Sequence, residues 1–129
     1  MIRRLMPLLL SMVLLLTGCA EEKIDTTYHQ INAETARDMM NEQPEVVVLD
    51  VREPDEFENG HIPGAVLLPL DSITEASAAE LIPTLDTTIL VYCRSGNRSK
   101  KASAALADLG YTDIYEFGGI NDWPYDVTD

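Results

Sequence analysis

A cysteine sits where an apolar run meets a basic, glycine-containing loop: Ile89-Leu-Val-Tyr-Cys93-Arg-Ser-Gly-Asn-Arg98-Ser-Lys-Lys101. Four apolar or aromatic residues lead into Cys93, a short polar loop follows, and an alanine-rich pattern begins behind it. The order is strand, loop, helix, with a thiol at the hinge. Three effects converge on such a thiol. Backbone N–H groups of a tight loop point at it, the following helix presents its positive end, and Arg94 and Arg98 add formal charge. All three favour the thiolate, so Cys93 is a candidate nucleophile that is ionised near neutral pH.

Charge patterning supports this. The chain carries a formal net charge of −13, yet Thr87 to Ala107 contains no Asp or Glu and holds Arg94, Arg98, Lys100 and Lys101. A solvated helix face accounts for Lys100 and Lys101. It does not account for the absence of acids across the whole segment, which suits a site for an anion. The acidity of the remainder argues against nucleic acid or anionic lipid as partners.

The loop Cys93-Arg-Ser-Gly-Asn-Arg98-Ser99 resembles the active-site loop of the rhodanese sulfurtransferases. Two other segments resemble the same family in the expected order: Leu49-Asp-Val-Arg-Glu-Pro-Asp-Glu-Phe57 followed by Gly60-His-Ile-Pro-Gly-Ala65, and Gly118-Gly-Ile-Asn-Asp-Trp123. Three motifs in order are a far stronger signal than one. The resemblance, spanning Tyr28 to Trp123, implies transfer of a sulfane sulfur from a donor such as thiosulfate to cyanide or a thiol, through a persulfide on the cysteine and with no other cofactor. It implies Cys93 as nucleophile and the backbone N–H groups of Arg94, Ser95, Gly96, Asn97, Arg98 and Ser99 as an anion cradle. Gly96 allows the tight loop, Arg98 closes it and helps stabilise the persulfide, and Arg94 faces outward to attract an anionic donor.

Asp50 and Arg52 admit two readings. In the resembling family these positions lie near the active loop, so Arg52 contacts substrate while Asp50 organises Arg98 or the loop amides. Alternatively Asp50 caps the turn after its strand and Arg52 pairs with Glu53 or Glu56. His61 sits in a structural Gly-His-Ile-Pro-Gly loop and is not expected to act as a base. His29 is expected to face solvent, and Trp123 to anchor the C-terminal segment by packing. Two histidines and so few thiols do not make a zinc cluster, so no metal is expected.

Two rival functions remain. A phosphatase or arsenate reductase on a similar fold uses a loop one residue longer than the four residues separating Cys93 from Arg98. A binding module or persulfide carrier would load sulfur from a partner protein without turnover on small donors.

The elements that must hold this loop follow from the flanking sequence. Tyr28-His-Gln-Ile31 reads as a short edge strand, and Asn32 can cap a helix through about Asn41. Val46 to Leu49 and Ala65 to Leu68 are apolar runs suited to buried strands. Glu53-Pro-Asp opens a short helix with Pro54 in its first turn. Ser72-Ile-Thr-Glu75 matches a capping box for a helix ending before Pro83. After the active loop, Asn97 to Leu109 forms a helix with Ala102, Ala105, Leu106 and Leu109 at core spacing, and Ile114 to Phe117 is the last strand. Strands alternating with helices predict an α/β fold, an open and mostly parallel sheet with helices on both faces and its site at the carboxyl ends of the strands. The family resemblance implies five strands.

At the N-terminus, two arginines precede an apolar run from Leu5 to Leu16, too short for the roughly 20 residues of a spanning helix. Leu16-Thr-Gly-Cys19 after it resembles the lipobox of bacterial lipoproteins. The expectation is a signal peptide over residues 1–18, a lipidated Cys19 with a polar tether over 19–27, and a domain over 28–129. That describes an exported monomer, anchored to a membrane of the cell envelope through lipid on Cys19, facing the periplasm or cell exterior.

Overall fold

A computed structural model of the chain describes residues 27–129. The expected signal segment, Cys19 and all but the last residue of the tether lie outside the described residues. The elements are β1 (His29–Gln30), α1 (Ala33–Glu42), β2 (Val47–Asp50), α2 (Pro54–Glu58), β3 (Val66–Leu67), α3 (Glu75–Leu81), β4 (Ile89–Cys93), α4 (Asn97–Asp108) and β5 (Ile114–Gly119). All strand pairings within the sheet are parallel, in the order β1-β5-β4-β2-β3. This is the open parallel sheet that the sequence pattern predicts, with the five strands that the family resemblance implies.

Every side chain of β4 is buried, because the strand lies at the centre of the sheet and is covered on both faces. Alternation along it assigns the two sides. Ile89, Val91 and Cys93 pack with Leu49, Val51, Ala78, Ala102, Leu106 and Ile114 beneath α3 and α4. Leu90 and Tyr92 join Ala36, Val48, Ile62 and Phe117 on the α1 side. Each large apolar side chain so buried contributes about 1.5–3 kcal/mol. Cys93 therefore points toward α4, and its neighbour Tyr92 points away.

Local signals set the helix ends. Asn32 Oδ1 accepts the Thr35 N–H at 2.8 Å, which caps α1. Glu53 and Glu56 form a capping box at the start of α2, where Pro54 fits the first turn. In α4, Ala102 and Leu106 are fully buried, whereas Ala105 and Leu109 are half-buried.

Two expectations need correction. Thr74, not Ser72, caps α3: Thr74 Oγ1 accepts the Ser77 N–H and Ser77 Oγ accepts the Thr74 N–H. Ser72 ends a 3-10 turn over Leu70–Ser72, so the chain is still turning where the sequence pattern starts the helix. The run Ala65 to Leu68 is not a strand covered on both faces. Only Val66 and Leu67 pair, at the sheet edge, and Val66 is 36% exposed.

One irregularity matters for the site. β4 and β5 are in register at Val91 and Glu116, but the next pair is Cys93 with Gly119. The extra residue on β5 is a bulge beside Cys93, and bulges commonly re-aim side chains.

Candidate active site

Cys93 closes β4, and the chain re-enters helix only four residues later. Gly96 makes that possible with φ +107°, a left-handed conformation that costs a residue bearing a Cβ about 1–2 kcal/mol. Its N–H donates to Cys93 Sγ at 3.0 Å, and Ser99 Oγ lies 3.4 Å from the same sulfur. Burial pushes the thiol up, since Cys93 is 1% exposed. Hydrogen bonds from the Ser99 hydroxyl and from the amides of Ser99, Gly96 and Ser95 outweigh burial and hold the thiol below its ordinary value. The loop thus stabilises an anion with backbone donors and one hydroxyl.

β5 supports the loop from below. A Cβ on Gly119 would collide with the Arg94 carbonyl group and stand 2.7 Å from the Ser95 nitrogen. Only glycine lets the loop backbone come so close. Asn121 N–H donates to the Arg94 carbonyl at 3.2 Å. Glu116, 3% exposed, lies with Oε1 2.6 Å from Ser99 Oγ.

Arg98 does not reach the sulfur by hydrogen bond. Its guanidinium makes a two-pronged pair with Glu56 of α2, at 2.6 and 3.0 Å, and so ties the first turn of α4 to α2. Its charge still acts on Cys93. Arg94 is exposed, as expected, while Ser95 and Asn97 are exposed and Ser99 is buried.

Asp50 and Arg52 follow neither sequence reading in full. Asp50 Oδ1 accepts the Arg52 N–H at 3.0 Å, which is the turn cap expected after the strand. The Arg52 side chain pairs with Asp50 itself, Nη2 to Oδ2 at 2.7 Å, and not with Glu53 or Glu56. Asp50 organises neither Arg98 nor the loop amides, because it shares the α1 side with Tyr92. Tyr92 O–H donates to Asp50 Oδ2 at 2.6 Å and accepts the Ile62 N–H at 3.1 Å, while Arg52 donates to the Gly60 carbonyl at 2.7 Å. Burial and the bond to Asp50 raise the Tyr92 phenol well above its ordinary value. This network fixes the turn after β2 and the Gly60–Ile62 segment to the rim.

Beside the loop lies an open cleft of about 460 Å³. Arg94, Glu56 and Arg52, the last already paired with Asp50, are its charged lining, and Ile120, Trp123, Tyr125 and Val127 give it apolar walls. Trp123 both packs on Phe117 and Tyr125, as expected, and forms part of this wall. His61 stacks on Phe57 with centroids 3.7 Å apart, and its Nδ1 lies 2.9 Å from the Phe57 carbonyl, so it is a structural part of its loop. His29 is exposed and stacks on Tyr115. Among the described residues, no group of three or more His, Cys, Asp or Glu is placed to hold a metal ion.

The model of the Rhodanese-like domain family matches residues 32–125. The chain belongs to this family. This rhodanese-like domain is 35% identical over 74 residues to the thiosulfate sulfurtransferase PspE of Escherichia coli (strain K12), a match covering 57% of this chain and 70% of that protein. To the thiosulfate sulfurtransferase GlpE of Stutzerimonas stutzeri (strain A1501) it is 34% identical over 99 residues, covering 76% of this chain and 86% of that one. Among solved structures, a rhodanese with anions from E. coli superposes with a TM-score of 0.60 at 30% identity, over 64% of this chain and 96% of that chain.

Four residues of this rhodanese-like domain carry roles at the site that the sequence did not reveal: Glu56, Tyr92, Glu116 and Gly119. Two signals were available. Tyr92 and Cys93 must face opposite sides of a central strand, and a Gly-Gly pair ending a strand marks close backbone approach.

Proposed function

We propose that the chain is a sulfurtransferase that carries a sulfane sulfur on Cys93. The thiolate attacks the outer sulfur of thiosulfate or of a persulfide donor. A new S–S bond forms at Cys93, the donor's S–S bond breaks, and sulfite or a thiolate leaves with the electron pair. Cyanide or a thiol acceptor then takes the outer sulfur, and Cys93 returns as a thiolate. The observation that carries this reading is the Gly96 N–H donating to Cys93 Sγ at 3.0 Å, within a loop that holds the thiol below its ordinary value. Such a nucleophile needs no histidine base. The relatives named thiosulfate sulfurtransferase support the choice of donor.

Intact mass measured before thiosulfate, after thiosulfate and after cyanide tests the proposal. One added sulfur on Cys93, discharged as thiocyanate and absent in Cys93→Ser, is the expected result. No added sulfur from thiosulfate or from a small persulfide donor would overturn it.

The apolar walls of the cleft beside the loop favour a second reading, in which a partner protein docks there and delivers the sulfur. Stoichiometric loading from a protein persulfide, with negligible turnover on thiosulfate, would select this carrier role. A phosphatase or arsenate reductase is disfavoured because Glu56 already engages Arg98. Phenyl phosphate hydrolysis lost on Cys93→Ser would reinstate it. Lipid attachment at Cys19 after export is part of the same proposal, tested by fatty-acid incorporation that Cys19→Ala abolishes.

A further inference from the structure

Glu116 is not required by the sulfur chemistry above, yet it is buried at the heart of the site. It lies on the α4 side of β5, next to the bulge, and neither of the two ion pairs among the described residues includes it. Its oxygens are held by uncharged donors: Ser99 O–H at 2.6 Å and Gly118 N–H at 2.8 Å on Oε1, and Gln30 Nε2 at 3.4 Å on Oε2. A carboxylate buried without a cation is costly unless something keeps it useful or neutral.

Ser99 has one hydroxyl proton and several claimants. Oγ lies 2.6 Å from Glu116 Oε1, 3.0 Å from the Gly96 carbonyl, and 3.4 Å from both Cys93 Sγ and the Gly118 carbonyl. If the proton goes to Glu116, the oxygen lone pairs face the sulfur, which suits a neutral S–H as donor. If it goes to the sulfur, a thiolate is stabilised, and a proton on Glu116 can complete the contact with Oγ. The two arrangements differ only in where one proton sits.

We propose that Cys93 and Glu116 share one proton through Ser99. As Cys93 ionises, its proton passes to Ser99 Oγ while the Ser99 proton passes to Glu116 Oε1. The products are a thiolate, an intact hydroxyl and a neutral carboxylic acid. Glu116 acts as a positioning residue: it works through Ser99, and the exchange keeps this buried space at a single negative charge. The other groups that face the pair are the uncharged amide of Gln30 on β1, the Gly118 N–H, and Arg98 on α4, whose charge acts on Cys93 while Glu56 of α2 engages it.

The inference deepens the assignment of Cys93 as the sulfur-carrying nucleophile and rests on it. Its test is the pH dependence of Cys93 alkylation by iodoacetamide in the full chain, followed by peptide mass, with infrared detection of protonated carboxyl groups alongside. Coupled sites titrate in two steps, so the wild type is expected to show two. A carboxylic acid band should persist between them. In Glu116→Gln a single step is expected about one pH unit below the upper wild-type step, a tenfold gain in thiolate at a fixed lower pH, and the band should vanish. Glu116→Asp, which keeps the charge but withdraws it from Ser99, should lose the lower step. On a Ser99→Ala background Glu116→Gln should produce no comparable shift. A single step in the wild type, an unchanged or raised midpoint in Glu116→Gln, or both steps surviving in Glu116→Asp would overturn the proposal. Alkylation needs no sulfur donor, so failure to load sulfur from thiosulfate would fault the function proposed above and not this coupling.

Discussion

One methyl group is enough to test how closely the Cys93 loop depends on β5. The atoms a Cβ at position 119 would strike belong to the Arg94–Ser95 backbone, which cannot turn aside as a flexible side chain would. Gly119→Ala should therefore lift the loop and spread the donors around Cys93 Sγ. A misplacement of about 1 Å at a reacting centre costs about a hundredfold in rate, so sulfur loading from thiosulfate should fall by that order, with a raised alkylation midpoint. Loading at the wild-type rate would show that the loop does not need its seat on Gly119. Tyr92→Phe should do the reverse. It strips a donor from buried Asp50 and the acceptor from the Ile62 N–H, a loss of about 1–3 kcal/mol in urea unfolding. Because Tyr92 faces the other side of the sheet, loading at Cys93 should persist in this variant. Loss of loading without loss of stability would mean that the Asp50 network shapes the nucleophile directly.

At the level of elements, the junction between α2 and α4 is set by Glu56 and Arg98. The Arg98 guanidinium lowers the Glu56 carboxyl to about 2 from an ordinary 4.5. A depressed carboxyl stabilises the fold fully above its unfolded value and loses that contribution as pH falls through its folded one. The window is therefore pH 4.5 down to about 2. The pair is partly exposed, so Glu56→Gln should cost about 0.5–1 kcal/mol near neutrality. In unfolding curves at several pH values, the gap between variant and wild type should close by the bottom of that window. A gap that stayed constant would assign the loss to packing instead. Distance along the chain also decides what could be read in advance. Cys93, Gly96 and the start of α4 were legible because strand, loop and helix are contiguous and each leaves a local signature. Glu116 meets Ser99 across 17 positions and Tyr92 meets Asp50 across 42, so only the strand order and the bulge bring them together. The turn cap of Asp50 is local and was legible, whereas its expected role toward Arg98 or the loop amides fails for the same reason. Its place on the rim followed from the sequence, but its partner Tyr92 lies on the neighbouring strand, which only the strand order supplies.

For the whole molecule, the net charge of −13 sets a condition on any anionic substrate. Thiosulfate is a dianion and is repelled at long range, so the positive ground around the loop has to overcome the field of the remainder. Arg94 is the exposed cation of the loop and also lines the cleft. Removing it should affect encounter more than chemistry, since the donors to Cys93 Sγ come from Gly96, Ser95 and Ser99. Arg94→Ala is therefore expected to lower the second-order rate of loading by thiosulfate about tenfold at low salt. The thiol itself should alkylate with neutral iodoacetamide at the wild-type rate. As ionic strength rises and the screening length shrinks to a few ångströms, the difference in thiosulfate loading should narrow. Loading rates measured over a salt series in both proteins decide the matter. A tenfold deficit that survives high salt would mean that Arg94 contacts the donor in the transition state, and the cleft beside it would then be part of the reacting site and not only its approach.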